Sequence, residues 1–232
     1  MEEKIIGTDA FKMNYTKTIP AKFIGRPNRF IAYVEIEGKE ETVHVKNTGR
    51  CRELLVPGCQ VILAVADNPN RKTKYDLVAV YKSGLGLVNM DSQAPNAVVG
   101  EYLSRQKEIT FVKPEYKFGD SRIDFYFEKG DIRCLMEVKG VTLEKEGLAY
   151  FPDAPTQRGT KHLRELIKAK EAGYESYLAL VVQMENIYDV FPARDMDPEF
   201  SKAYDDAVSA GVKVLVLPCN VWEHGLTIRD GY

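Results

Sequence analysis

Cysteine and histidine are both scarce, with four and three copies in 232 residues. Cys51, Cys59, Cys134 and Cys219 form no C-x-x-C pair, and no histidine close in sequence completes a zinc site. The pattern reads as reduced, mostly buried thiols rather than a zinc ribbon or a disulfide framework. Long apolar runs are missing as well, none approaching the roughly 18 residues of a membrane span. The start, MEEKIIGTDAFKMNY, lacks the basic and apolar regions of a signal peptide, so a cytoplasmic protein with no membrane partner is expected. Positive charge is not in excess: 32 Lys and Arg face 34 Asp and Glu. Nucleic-acid binding would therefore rest on local patches. No phosphate-cradling glycine loop supports a small-molecule α/β protein, although the even charge balance keeps that reading open.

What is present divides into two parts. From Lys17 to Val88, runs rich in β-branched and aromatic residues follow one another between Gly, Pro and Asn signals: FIGRPNRFIAYVEIEG, ETVHVKNTG, CQVILAVADNPN and KYDLVAVYKSG. Only RELL, at 52–55, reads as a helical turn. This predicts an all-β, OB-like Greek-key barrel over residues 1–88. Residues 89–232 predict an α/β domain with a mixed sheet. AVVGEYLSRQ, the segment 156–172 closed by Gly173, and DPEFSKAYDDAVSA closed by Gly211 read as helices. YLALVVQ and VKVLVLP read as strands covered on both faces, in a parallel βαβ arrangement.

Charges interrupt the core-like stretch SRIDFYFEKGDIRCLMEVKG. With Gly130-Asp131 as a two-residue type II′ turn, Lys129 faces Ile132, Phe127 faces Cys134 and Asp124 faces Glu137. Lys139 and Tyr126 then share the face of the two carboxylates, and Ile123, Phe125, Met136 and Val138 take the other. Neighbouring carboxylates are unfavourable unless a cation lies between them or one is protonated. Oxygen ligands of this kind suit Mg²⁺ or Mn²⁺, and a lysine beside them suits phosphodiester hydrolysis. A plain Asp–Glu–Lys ion-pair cluster accounts for the same residues, because D-x(12)-E-x-K is a short and common pattern.

Asp124 and Glu137-Val138-Lys139 resemble the signature of the PD-(D/E)XK nuclease superfamily. That resemblance implies Asp124, Glu137 and Lys139 as catalytic residues and a further acidic metal ligand on the preceding helix, where Glu101 is the candidate. It also implies phosphate contacts from the following helix, where Gln157, Arg158, Lys161 and His162 are available. A broader resemblance runs through RPNRF, NTGRCREL, VPGCQV, NRKTKYDLVAV, SRIDF, EVKGVTL and FPDAPTQRGTKHLREL. These segments are similar to the sugar fermentation stimulation protein family. The resemblance implies an OB domain followed by a PD-(D/E)XK-like domain, and DNA binding rather than a proven turnover. A DNA-binding regulator with a vestigial site is the alternative reading.

On the barrel the expected DNA surface is Arg26, Arg29, Phe30, His44, Lys46, Asn47 and Arg50, with Arg71, Lys72 and Lys74 in a loop. Phe30 and Tyr33 read more readily as core than as stacking platforms. Gly49 is expected to supply a positive φ to the Asn47-Thr48-Gly49 turn. The segment 151–155 is expected to close over the carboxylate face, with Asp153 or Thr156 capping the next helix and Asp153 a minor candidate for the metal. Trp222 is expected in the core or under the C-terminal tail. Cutting both strands of a duplex would favour a homodimer.

Overall fold

The computed structural model describes residues 13–231 apart from Thr48 and Pro69, so the first twelve residues of the segment read for a signal peptide lie outside it. The first six strands are β1 (Thr18–Gly25), β2 (Ile31–Ile36), β3 (Lys39–Val45), β4 (Gln60–Val65), β5 (Tyr75–Lys82) and β6 (Gly86–Asn89). β1 pairs with β2 and β4, β2 with β3, and β4 with β5. A parallel pairing of His44 and Val45 with Asp76 and Leu77 joins β3 to β5. Five strands thus close in the cyclic order β1-β2-β3-β5-β4, the OB arrangement, and closure removes the exposed edges an open sheet would leave. Alternate residues Ala32 and Val34, Val43 and Val45, and Val61 and Leu63 fill the interior. The run FIGRPNRFIAYVEIEG is not one strand, because Arg26–Phe30 turns it from β1 into β2. RELL forms hydrogen-bonded turns, with Leu54 and Leu55 N–H both donating to Cys51 O.

The α/β half continues with α1 (Ala94–Arg105), β7 (Ile109–Phe118), β8 (Ser121–Lys129), β9 (Ile132–Val141), β10 (Leu143–Lys145), β11 (Leu148–Phe151) and α2 (Gln157–Glu171). It ends with β12 (Glu175–Val182), β13 (Val190–Pro192), α3 (Pro198–Ser209), β14 (Lys213–Trp222) and β15 (Gly225–Ile228). The main sheet has the order β15-β14-β12-β9-β8-β7 and is mixed. β12 runs parallel to both β9 and β14, which fits the two continuous apolar runs, while β7, β8 and β15 pair antiparallel. Both later helices start on side-chain caps, Thr156 accepting from Gly159 N–H and Asp197 from Phe200 N–H. Their stops, Gly173 and Gly211, take the left-handed conformation expected of them.

Helices cover the sheet on both sides. Val98, Val99 and Leu103 of α1 pack with Phe125, Met136 and Val138, while Leu163 and Leu166 of α2 pack with Tyr126 and Leu135. Strict alternation fails at one point: Ile123 joins the α2 side, although Phe125 faces α1. The break coincides with Asp124 and with Glu115 of β7, which holds φ +52° between Pro114 and Tyr116. Trp222 is partly exposed rather than in the core. Among the described residues no helix is long and apolar enough to cross a membrane.

The barrel and the sheet meet at a polar joint. Asp91 accepts from Tyr15 Oη and Gln93 N–H and pairs with Lys46 Nζ at 2.9 Å. Gln183 Nε2 donates to Asn89 Oδ1 and to Asp91 O. Asn47 Nδ2 donates to Met90 O.

Candidate functional site

The Gly130-Asp131 turn has the expected register: Lys129 pairs with Ile132, Phe127 with Cys134, and Phe125 with Met136. Gly130 takes φ +59°, a conformation its missing Cβ makes inexpensive. One step beyond the last paired residues stand Asp124 and Glu137, where the two strands begin to part. Asp124 Oδ2 accepts from Val138 N–H at 2.8 Å, and its Oδ1 accepts from Asn96 Nδ2 of α1 at 2.9 Å. Glu137 Oε1 accepts from both Lys139 Nζ and His162 Nδ1–H of α2. The two carboxylates are therefore held by different helices, Asp124 by α1 and Glu137 by α2.

Electrostatics set the pair apart. Burial, together with the nearby Glu137 charge, raises the Asp124 carboxyl above the ordinary aspartate range despite Lys139 and the Val138 N–H. Burial also pushes Glu137 up, but the His162 hydrogen bond and the Lys139 charge outweigh it and hold the group below the usual range. Glu137 is 2% exposed, and its Oε2 is buried without a hydrogen-bond partner among the described residues. A buried carboxylate oxygen without a donor is costly, and a cation removes that cost.

The remaining expected residues fall into distinct groups. Glu101 is not brought to the carboxylates: it pairs with Arg105 and borders a separate cleft beside Thr227–Gly231. Asn96, at the start of the same helix, is the residue that reaches Asp124. His162 is buried on Glu137 rather than offered to phosphate. Gln157, Arg158 and Lys161 lie exposed at the start of α2, with Lys161 Nζ 3.2 Å from Asp120 O.

On the barrel, Arg71 makes a fork onto Asp76, at 2.8 and 2.6 Å, and His44 Nδ1 sits 2.8 Å from the same carboxylate. Lys46 is held by Asp91, and Asn47 is spent on Met90 O and Gly49 N–H. Arg26 donates to the carbonyls of Asn28, Arg29, Asn47, Gly49 and Arg50, so it braces the loop from within. Arg29, Arg50 and Lys72 are exposed. Arg29 and Arg50 border an open cleft of about 360 Å³, joined by Arg52. Phe30 is 52% exposed rather than core, and Tyr33 is also at the surface. Gly49 does not adopt a positive φ; its role is space, because a Cβ there would lie 2.8 Å from Asp153 Oδ2. Asp153 thus faces Gly49 in the joint between the halves, where it borders a cavity with Gln183.

The chain matches two family models: the N-terminal OB domain of the sugar fermentation stimulation protein over residues 24–90, and the "Sugar fermentation stimulation protein RE domain" over residues 93–225. It is 52% identical over 220 residues to a sugar fermentation stimulation protein homolog of Desulfitobacterium hafniense strain Y51, covering 94% of this chain and 96% of that one. A homolog of the same name from Clostridium beijerinckii is 48% identical over 221 residues, covering 94% and 97%. Among solved structures, Pyrococcus furiosus SfsA in complex with Ca²⁺ superposes with a TM-score of 0.83 at 26% identity, covering 94% of this chain and 95% of that one. Sequence, domain order and fold agree: the chain belongs to the sugar fermentation stimulation protein family.

Proposed function

We propose that this chain binds DNA and hydrolyses its phosphodiester bonds with a divalent metal ion, Mg²⁺ or Mn²⁺, held by Asp124 and Glu137. One observation carries the reading: Glu137 Oε2 is buried without a donor among the described residues, beside a second carboxylate whose ionisation burial disfavours. A hard cation between two carboxylates resolves both costs. The Pyrococcus furiosus relative was solved in complex with Ca²⁺, an ion of that oxygen-liganded class. When bound, such an ion polarises a phosphate and lowers the pKa of its water.

The chain's own residues supply the rest. His162 fixes the rotation of Glu137 so that Oε1 is occupied and Oε2 is the free oxygen, while Asn96 and the Val138 N–H fix the rotation of Asp124 through its two oxygens. Lys139 offers an ammonium group to charge developing on the phosphate. Gln157, Arg158 and Lys161 hold flanking phosphates. Arg29, Arg50 and Lys72 extend the contact over the barrel, with Phe30 as a stacking surface. Lys46, Asn47 and Arg71 belong to internal contacts and do not join that surface.

Cleavage of plasmid and oligonucleotide substrates in Mg²⁺, Mn²⁺ or EDTA tests the reading on the wild type and Glu137→Gln. Metal-dependent cleavage is expected, reduced at least about a thousandfold in the variant, since metal stabilisation is worth several kcal/mol and each 1.36 kcal/mol is tenfold. Cleavage indifferent to EDTA or to the substitution removes the assignment. The second reading, a DNA-binding regulator without turnover, is favoured by one contact: the Lys139 ammonium already pairs with Glu137 internally. Salt-sensitive binding with no cleavage in any metal selects it.

A further inference from the structure

Where the barrel meets the sheet lies a cavity of about 280 Å³. Two of its lining residues are chain neighbours of the site: Gly140 follows Lys139 on β9, and Pro95 precedes Asn96 on α1. Thr156 also lines it, directly before the exposed Gln157 and Arg158 of α2. A strand whose phosphates rest on that helix start would carry its bases past the cavity mouth.

The lining is mixed: apolar walls come from Pro95, Leu143, Phe151 and Pro155, hydroxyls from Ser92, Thr142, Tyr150 and Thr156, and the Asp153 carboxylate and the Gln183 amide oxygen are its acceptors. Asp153 is largely buried and its carboxyl is raised by that burial, with only its own backbone N–H as a compensating hydrogen bond. Gln183 is 2% exposed. Its Nε2 is fixed by Asn89 Oδ1 and Asp91 O, which leaves Oε1 as the free end, with no donor to it among the described residues.

Two glycines make room for these acceptors. A Cβ at Gly49 would lie 2.8 Å from Asp153 Oδ2, and one at Gly140 would collide with Gln183 Oε1 and lie 2.8 Å from Pro95 Cγ. Close approach of backbone to a ligand site is a use only glycine serves. A cation alone would want oxygens all round and no apolar walls. A planar ring bearing a hydrogen-bond donor fits both features.

We infer that this cavity accepts one nucleobase of the strand held at the carboxylates, and selects a base with an exocyclic amine through Asp153 and Gln183 Oε1. The inference rests on the DNA-hydrolysing reading of Asp124 and Glu137. Oligo(dC) and oligo(dU) isolate the interaction, because cytosine presents an amine where uracil presents a carbonyl acceptor.

The test is fluorescence anisotropy of single-stranded oligo(dC) and oligo(dU) in Ca²⁺, with cleavage of both followed in Mn²⁺. Wild type is expected to bind oligo(dC) about five- to tenfold more tightly, the lower end of what one good base contact gives. Asp153→Asn, which turns an amide donor toward the base, brings the ratio to within about twofold, and Gly140→Ala, which displaces the Gln183 carbonyl, narrows it as well. The wild-type ratio stands without either variant, so a variant that fails to fold does not shield the idea. Equal binding of both oligonucleotides by wild type overturns the cavity assignment alone, provided cleavage occurs. Asp153→Asn that weakens Ca²⁺ binding without DNA, and leaves the base ratio intact, makes this a cation site and overturns it too. Absence of any binding or cleavage removes the underlying reading together with this one.

Discussion

Asp91, at the joint between barrel and sheet, and Glu137, on β9, are both carboxylates with almost no exposure, 0% and 2%. Their surroundings differ in kind. Asp91 has donors on both oxygens: Gln93 N–H on Oδ1, and Tyr15 Oη with Lys46 Nζ on Oδ2. Glu137 has two donors crowded on Oε1 and, among the described residues, none on Oε2. The barrel follows the first pattern, since Arg71 and His44 satisfy Asp76 and carbonyls satisfy Arg26. A buried charge with complete partners is a structural element, and one left incomplete is a place where a ligand can act.

That contrast can be broken in three places. The largest effect is expected at Asp91→Ala, which strips the joint of its central acceptor and leaves Lys46 without its partner. A loss of about 3–5 kcal/mol, read by urea unfolding, is the scale for breaking a buried pair from one side. A loss below about 1 kcal/mol would mean the joint is not held by charge.

Next is Asp76→Asn. Burial raises the Asp76 carboxyl, but its hydrogen bonds from Arg71 and His44 and the Arg71 charge prevail and hold it below the usual aspartate value of 3.8. A carboxyl depressed on folding stabilises the protein above 3.8 and loses that contribution as pH falls through the depressed value. The variant should cost about 1–2 kcal/mol at neutral pH, with the gap to wild type closing in acid.

The smallest effect has the opposite sign. Asp124 is raised on folding, so its ionisation weakens the folded state once pH climbs from 3.8 through the raised value. In EDTA, Asp124→Asn should raise Tm by a degree or two at neutral pH, equivalent to under about 1 kcal/mol, and make no difference in acid below 3.8. With Mn²⁺ the order should reverse, because only the wild type gains from binding the ion. A variant less stable than wild type in EDTA at neutral pH would place Asp124 with Asp91 among the satisfied groups.

How much of this was legible in the chain follows from the range of each signal. The β8–β9 register depends on a two-residue turn, and the local pattern was sufficient to set it. Glu101 depended on helix phase. It stands five residues after Asn96, well over a full turn at 3.6 residues per turn, so it emerges on a different side of α1 from the residue that meets Asp124. His162 carried a readable signal that its basic neighbours obscured. Gly159, His162, Leu163, Leu166 and Ala169 follow the i, i+3, i+4 spacing of a buried stripe, and all are buried. Lys46 and Arg71 looked like surface charges because their acidic partners are identified only once the barrel is closed. Gln183 showed no local signal, since its partners Asn89 and Asp91 lie more than ninety positions away.

One packed cluster contains the barrel residues Val34, Val61 and Leu77, the joint residues Val88 and Met90, and Leu163 and Phe200 from the helices α2 and α3. A boundary drawn at residue 88 or 90 is therefore a boundary in ancestry and topology, and not in cohesion. Either half made alone would turn part of this shared interior toward water. The two modules share one interior, so this barrel cannot be exchanged for another without recutting the surface that it packs against.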